Sequence, residues 1–216
     1  MATPQEPARR PDARRTQAER RAESEQRLLT ASVELIVEQG LARTSLADIG
    51  RRAGASHALV NHRFGSKDEL VDRIIEEATR YYAHAARTRI GARTGLDAVL
   101  ELCALYLDLV DGPDPIGRVH VVLWSEAVAH SASRRNAQLE WDRQFRDFVS
   151  GLIEDGVAEG SIRADVPVAD TALTIVGALR GTAMQLLVDG GIDLDSAQSL
   201  IRELVLSDLR VRPDAG

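Results

Sequence analysis

The chain has 216 residues, of which 44% are hydrophobic and 28% charged, as expected for a folded protein with a sizeable core. Its single cysteine, Cys103, excludes an intramolecular disulfide and a cysteine-based zinc site, and fits a reducing cytoplasm. No apolar run approaches the roughly 20 residues that span a bilayer, so we expect no membrane segment.

The net charge of -6 conceals an asymmetry along the chain. Residues 1–67 hold 12 Lys/Arg and 8 Asp/Glu, whereas residues 68–216 hold 15 and 25. A mildly basic front on an acidic body is typical of a protein that presents one end to a polyanion. An uneven scatter of solvated surface charges would give the same counts, so charge alone leaves both interpretations open.

Apolar periodicity, capping residues and glycine stops predict an all-α fold of about nine helices. The Arg-rich residues 1–22, which contain three prolines, are expected to form a disordered arm, and residues 211–216 a frayed tail. Between them we expect one domain at 23–70 and a second helical domain at 71–210. In chain order, the predicted helices span about 24–39, 46–53, 57–63, 67–88, 96–110, 116–130, 134–158, 168–188 and 195–209.

The first three predicted helices have the lengths and sharp turns of a DNA-binding helix-turn-helix. Thr44-Ser45 and Ser56 are suited to cap the second and third helices, and Gly54 supplies the tight turn between them. The third helix mixes small, apolar and hydrogen-bonding side chains. It can therefore pack in part on its neighbours and reach base edges with the remainder.

These residues resemble the TetR family of transcriptional regulators. The resemblance is carried by Thr44-Ser45-Leu46-Ala47-Asp48-Ile49-Gly50, Ala53-Gly54-Ala55-Ser56 and Val60-Asn61-His62-Arg63-Phe64-Gly65-Ser66-Lys67. Most family members have an aromatic residue where Asn61 stands, histidine where Arg63 stands and alanine where Gly50 stands. These departures concern the operator sequence and phosphate contacts rather than the fold.

The resemblance implies DNA contacts from the second and third helices and from the start of the fourth. Arg63 could read guanine or bind a phosphate, and Asn61 could read adenine or bind a phosphate. Thr44, Ser45 and Lys67 would bind phosphates, although simple helix capping also explains Thr44 and Ser45. The full set of expected DNA contacts is Thr44, Ser45, Ser56, His57, Ala58, Asn61, His62, Arg63 and Lys67.

The C-terminal domain carries no pattern of catalytic or metal-ligating residues and no phosphate-binding glycine loop. Its apolar interior contains scattered polar and aromatic groups, which is how ligand pockets are built. Core packing would use the same residues. The candidate pocket residues are Cys103, Tyr106, His120, Trp124, Trp141, Phe145, Thr174 and Met184.

The eighth and ninth helices have apolar residues on more than one face, so each could serve both its own domain and a second subunit. Gly177 and Gly181, one turn apart, would permit close helix approach, and Leu200 and Leu204 extend the apolar surface. The family resemblance implies a four-helix dimer interface at this place.

The main hypothesis is a cytoplasmic, homodimeric, ligand-responsive regulator without enzymatic activity, cofactor or metal. Its partners would be a palindromic double-stranded DNA operator and a small-molecule effector that releases it, so that the protein acts as a repressor. Two alternatives stay open: an activator or ligand-independent DNA binder, and, more remotely, an all-helical enzyme or carrier.

Overall fold

The computed structural model describes residues 16–129 and 132–211, leaving aside the side chains at 128, 129, 132–135 and 137. These residues form nine α-helices and no strand, as the sequence predicts. The helices are α1 (Gln17–Gln39), α2 (Leu46–Ala53), α3 (His57–Phe64), α4 (Lys67–Ile90), α5 (Gly95–Asp111), α6 (Ile116–Ala129), α7 (Ala132–Glu159), α8 (Val168–Val188) and α9 (Leu194–Leu209).

Helix α1 begins at Gln17, earlier than predicted, so residues 17–22 of the expected arm are helical. The reason is a capping box: the Thr16 hydroxyl accepts a hydrogen bond from the Glu19 amide, and the Glu19 carboxylate accepts one from the Thr16 amide. This Thr-x-x-Glu signal is readable in the sequence but lay within the Arg-rich stretch. Residues 1–15 of the predicted arm and 212–216 of the predicted tail lie outside the described residues.

Other helix starts follow local capping chemistry. Ser45, Ser56 and Ser66 cap α2, α3 and α4, each accepting a hydrogen bond from a backbone amide three residues on. The segment Ser66-Lys67-Asp68-Glu69 has the sequence of a capping box, but only the bond from the Glu69 amide to the Ser66 hydroxyl is present. Helix α9 begins one residue before the predicted start, where Asp193 is the cap.

The turn between α2 and α3 depends on two glycines. Gly54 has φ 66° and ψ 34°, the left-handed conformation that a tight turn requires. Gly50 lies where the turn passes closest to α2: a Cβ built there would be 2.9 Å from the carbonyl oxygen of Ala55. The missing side chain therefore lets the turn close tightly against α2.

Two apolar cores divide the chain. The N-terminal core joins α1–α3 to the first half of α4, and it also includes Ile116, Val119 and Leu123 of α6. The C-terminal core joins the second half of α4 to α5, α7, α8 and α9. Because α6 contributes to the first core, the DNA-binding domain predicted at 23–70 is packed against a helix of the second domain.

Helix α8 is the one described helix that is long and apolar enough to cross a bilayer by length and composition alone, with a mean hydropathy of 1.4. The sequence prediction that no run approaches this length is thus wrong at α8, where small residues alternate with apolar ones. One side of the helix packs into the C-terminal core through Ala172, Val176 and Leu179. A helix of this kind is common in the core of a globular domain.

Candidate nucleic-acid interface and ligand pocket

One face of α3 is polar and exposed. His57, Ala58, Asn61 and His62 all lie in the exposed class, and their spacing places them on the same side of the helix. The Asn61 amide nitrogen lies 3.5 Å from Nδ1 of His57. The face thus presents several hydrogen-bonding groups on a short helix, which is what reading of base edges requires.

The neighbouring side of α3 holds the helix in place. Val60 and Phe64 are 0% and 3% exposed and belong to the N-terminal core. Ser45 and Ser56 are exposed at the starts of α2 and α3, where both hydroxyls already act as caps. Capping uses one lone pair of each oxygen, so a phosphate contact by these serines stays a prediction.

Thr44 does not lie where a phosphate could reach it. Its side chain is 1% exposed, and its hydroxyl donates a hydrogen bond of 2.8 Å to the carbonyl of Gly40. The predicted phosphate contact of Thr44 is therefore wrong: the residue closes the turn between α1 and α2.

Arg63 and Lys67 lie to the side of the exposed face. With about 3.6 residues per turn, Arg63 projects from the side of α3 opposite to His57 and Asn61, and it is half-buried. Its Nε is buried and has no hydrogen-bond partner among the described residues. Lys67, also half-buried, donates a hydrogen bond of 3.4 Å to the carbonyl of Ala42. This placement favours phosphate contact over base reading for Arg63.

Substitutions in α3 should separate these roles. We expect Asn61→Ala to weaken operator binding by about 1–3 kcal/mol and to relax specificity at one base pair. Arg63→Ala should weaken binding to operator and to unrelated DNA alike. The slope of the logarithm of the binding constant against the logarithm of the salt concentration should become shallower by about one, the value for one phosphate contact. Titrations by fluorescence anisotropy at several salt concentrations measure both. Relaxed specificity in Arg63→Ala would instead show that this arginine reaches a base.

A groove of about 480 Å³ runs between α4 and α7. Its lining includes Tyr82, Ala86 and Ile90 from α4 and Trp141, Phe145 and Phe148 from α7, with Leu102 of α5 beneath them. Of the lining residues that the structure describes, only Arg87 is charged, and it is exposed. The volume and the apolar lining suit a small-molecule ligand. We call this feature the α4/α7 groove.

An aromatic cluster lies at the Tyr82 end of the groove. The rings of Tyr106 and Phe145 stack at 5.7 Å, and those of Trp141 and Phe145 at 5.6 Å. The ring of His120 lies 4.9 Å from both Tyr82 and Trp141. Five predicted pocket residues therefore come together in or beside this cluster: Tyr106, His120, Trp124, Trp141 and Phe145.

His120 is a buried neutral side chain. It is 2% exposed and lies 2.8 Å, Nε2 to hydroxyl, from Tyr106. Burial, reinforced by the charge of Arg180, lowers the pKa of His120 to about 3. Burial likewise raises the pKa of Tyr106 to about 12, against the opposing effect of Arg180. Both groups are uncharged at neutral pH.

The strongest electrostatic feature of the domain is an arginine that the sequence interpretation missed. Arg180 of α8 is 7% exposed, and its Nη1 donates to Oδ1 of Asp142 at 2.7 Å. Its guanidinium carbon lies 4.7 Å from the ring centroid of Trp124 and 5.9 Å from that of Trp141. The available signal was a lone arginine inside an otherwise apolar helix.

Three predicted pocket residues lie elsewhere. Cys103 is buried on the side of α5 that faces α9, beside Gln198, and burial raises its pKa to about 12. Thr174 is exposed on α8, where its hydroxyl donates to the carbonyl of Asp170. Met184 packs against the C-terminal core outside the groove. Their polarity or size suggested a pocket, but helix rotation decides which face each occupies.

Helix α6 connects the aromatic cluster to the helix-turn-helix. It carries His120 in the cluster, Trp124 against Arg180 and, about half a turn beyond Trp124, Glu126. Oε1 of Glu126 accepts a hydrogen bond of 2.7 Å from the amide of Leu41, in the turn between α1 and α2. A shift of α6 would therefore act directly on the domain that bears α3.

Helices α8 and α9 present an apolar surface to solvent. Leu173 of α8 is 52% exposed, and Leu200 and Leu204 of α9 are 66% and 47% exposed. A Cβ built at Gly177 or Gly181 would meet no heavy atom of the chain within 4 Å. These glycines are thus not needed for packing within the chain, and we call this surface the α8/α9 face.

No group of three or more His, Cys, Asp or Glu side chains suited to a metal ion occurs in the described parts of the chain.

Comparisons with known proteins cover both domains. The sequence model described as "Bacterial regulatory proteins, tetR family" matches residues 28–74. The model described as "Tetracyclin repressor-like, C-terminal domain" matches residues 117–208. Together the two matches span more than half of the chain.

Among individual proteins, the chain is 28% identical over 147 residues to the HTH-type transcriptional repressor KstR2 of Rhodococcus jostii, across 65% of this chain and 69% of that protein. It is 29% identical over 191 residues to the HTH-type transcriptional regulator BetI of Burkholderia thailandensis, across 87% and 93%. The solved structure of the regulator FadR from Bacillus subtilis in complex with stearoyl-CoA superposes with a TM-score of 0.74 at 18% identity, across 85% and 98%. At that identity the structural likeness concerns the fold alone.

Proposed function

The chain belongs to the TetR family of bacterial transcriptional regulators, and on that premise we propose that it is a homodimeric repressor of transcription in the cytoplasm. In this proposal it binds a palindromic operator and releases it when a small molecule occupies the α4/α7 groove. Support for repression comes from the similarity to KstR2, which is named a repressor.

The single observation that carries the proposal is the polar face of α3. His57, Asn61 and His62 are exposed on an eight-residue helix whose neighbouring side is fixed in the N-terminal core. A helix with one side buried in the core and another side carrying exposed hydrogen-bonding groups is suited to enter the major groove.

The α8/α9 face supports a two-fold dimer. Its leucines are exposed in one chain, and apolar surface of this kind marks association sites. A two-fold axis through the face would duplicate α3, and two copies of a reading helix recognise a palindrome, one half-site each.

The α4/α7 groove supports control by a small molecule, as does the likeness to FadR, whose structure contains stearoyl-CoA. In the proposed mechanism, ligand favours a conformation in which α6 shifts against the N-terminal core. The two α3 helices then no longer match the operator spacing. The fall in operator affinity is set by the ratio of the ligand's affinities for the two conformations.

Selection from random double-stranded DNA tests the proposed function. We expect the enriched sequences to be palindromes or near-palindromes, with half-sites about 10 base pairs apart, centre to centre, or a multiple of this. Enrichment of asymmetric sequences only, or no enrichment at all, would contradict it. The matched control is the same selection with Asn61→Ala, which should lose preference at one symmetric pair of positions.

The contact between Glu126 and Leu41 should tie α6 to the helix-turn-helix. Glu126→Ala leaves the Leu41 amide without its acceptor, so we expect a loss of about 1–3 kcal/mol in unfolding free energy. Hydrogen exchange at the Leu41 amide should accelerate. In Glu126→Gln the amide oxygen can still accept, so protection should be largely retained. Equal exchange in the two variants would show that the carboxylate is not the partner that matters.

A further inference from the structure

Arg180 has unused hydrogen-bonding capacity in the interior. Nη1 donates to Asp142, whereas Nε and Nη2 are buried and form no hydrogen bond of regular geometry among the described residues, although the Tyr106 hydroxyl is close enough to the guanidinium for Arg180 to lower the pKa of Tyr106. In a planar guanidinium, Nε and Nη2 form one edge with two parallel N–H groups. This is the edge that a carboxylate bridges with both of its oxygens.

The charge around Arg180 is not balanced. Asp142 also forms an ion pair with the half-buried Arg146, with 3.1 Å between Arg146 Nε and Asp142 Oδ2, so two arginines share one carboxylate. The neighbouring His120 and Tyr106 are neutral. An excess of positive charge at a partly buried place attracts an anion and repels cations. The local electrostatics therefore favour a negatively charged partner.

Trp141 connects this arginine to the α4/α7 groove, because its indole lines the groove and is also a neighbour of the guanidinium. The groove is elongated: its lining extends from Thr79 to Ile90 on α4 and from Trp141 to Leu152 on α7, about 16 Å along each helix. Among the described residues, Arg87 at the rim is the only charged one that lines the groove. An apolar body fits the groove, and an acidic end group fits the arginine beyond it.

We propose that the effector is an amphipathic carboxylic acid whose apolar body occupies the α4/α7 groove and whose carboxylate pairs with the Nε–Nη2 edge of Arg180. The Trp141 indole turns aside to admit the carboxylate. The inference rests on the proposed function only in taking the groove as the effector site. It adds the chemical class of the effector and the residue that selects it.

The two tryptophans of the chain make the test direct. Trp124 and Trp141 are the only ones in the sequence, and both lie against Arg180, so intrinsic fluorescence reports on this place. The probes are three amphiphiles with the same ten-carbon chain: decanoate, decanol and decyltrimethylammonium. We expect decanoate to change the emission saturably and to bind about tenfold or more tightly than the other two. Equal affinity for all three, or no binding by decanoate, would overturn the inference.

Variants test whether the charge of Arg180 gives the preference for decanoate. Arg180→Met combined with Asp142→Leu removes both members of the ion pair, so no unpaired buried carboxylate is left at this pair. It should abolish the preference for decanoate over decanol. Arg180→Lys keeps the charge but not the bidentate edge, and should weaken decanoate binding severalfold even if the double variant does not fold.

The matched control is Arg87→Gln, at the rim of the same groove, which should leave the preference for decanoate unchanged. Loss of that preference in Arg87→Gln, with wild-type preference in the Arg180 variants, would place recognition at the rim and overturn the inference. DNA is absent from these titrations, so their outcome is independent of the proposed function. Selective decanoate binding without any effect on operator affinity would support the inference and contradict the proposed mechanism of release.

Discussion

Gly181→Leu should convert the dimer into a folded monomer that binds its operator about a hundredfold more weakly or worse. A Cβ at Gly181 meets nothing within 4 Å in its own chain, so the substitution should not disturb the fold of one subunit. If two copies of α8 approach closely across the α8/α9 face, however, the leucine forces them apart. The two half-site contacts are then no longer linked, and the advantage of effective concentration is lost.

Light scattering gives the mass, circular dichroism the helical content, and anisotropy the operator affinity of the same sample. The matched control is Gly151→Leu in α7, where a built Cβ also has nothing within 4 Å. Both changes replace a helical glycine, so they share the gain in helix propensity. The control should remain dimeric with unchanged affinity. A dimeric Gly181→Leu variant with wild-type affinity would move the interface away from this face.

The stability of the protein should decrease at acid pH because of His120. His120 has its pKa lowered to about 3 in the fold, from about 6.5 in an unfolded chain. Above that unfolded value the imidazole is neutral in both states and adds no pH dependence. Below it the imidazole is protonated in the unfolded chain but stays neutral in the folded protein, so the free energy of unfolding decreases as the pH falls. Between about pH 8 and about pH 5 this amounts to about 2 kcal/mol of unfolding free energy.

Denaturant titrations across this pH range measure the effect by comparing variants, because many carboxylates also titrate. His120→Gln keeps a hydrogen-bonding partner for Tyr106 but cannot take up a proton, so its stability should depend less on pH by that amount. His84→Gln, at an exposed position on α4, should retain the wild-type dependence. Identical pH profiles for wild type and His120→Gln would mean that the imidazole is not held neutral by burial.

Helix positions could be predicted because their signals are local. The α2–α3 segment is specified by Ser45, Gly54 and Ser56, each acting within a few residues, and its predicted bounds agree with the structure to within one residue. The early start of α1 shows the same rule from the other side. Thr16 and Glu19 form a local capping box. It was not recognised in the sequence because the neighbouring prolines and arginines are typical of a disordered arm.

The candidate sites were harder to predict because they depend on helix rotation. Thr44 has the right chemistry for a phosphate contact, yet its turn directs the hydroxyl to the backbone of Gly40. Cys103 and Tyr106 are three residues apart on α5, and only Tyr106 reaches the aromatic cluster.

The contacts between helices were the least accessible from sequence. The pair of Arg180 with Asp142 joins residues 38 positions apart, and the contact of Glu126 with Leu41 spans 85. Neither pair leaves a periodic trace in the sequence. The one available hint for Arg180 was that it is the only arginine of the largely apolar α8, and this hint identified neither the partner nor the aromatic rings around it.

Occupation of the α4/α7 groove by a ligand is proposed to release the operator. The most direct measurement titrates a groove ligand, identified by its effect on tryptophan emission, into the complex of the protein with its selected operator and follows DNA release by anisotropy. We predict that the operator Kd rises by about 5- to 150-fold and that release saturates at the ligand concentration which saturates the emission change. An operator Kd that stays unchanged while the groove is saturated would contradict the claim.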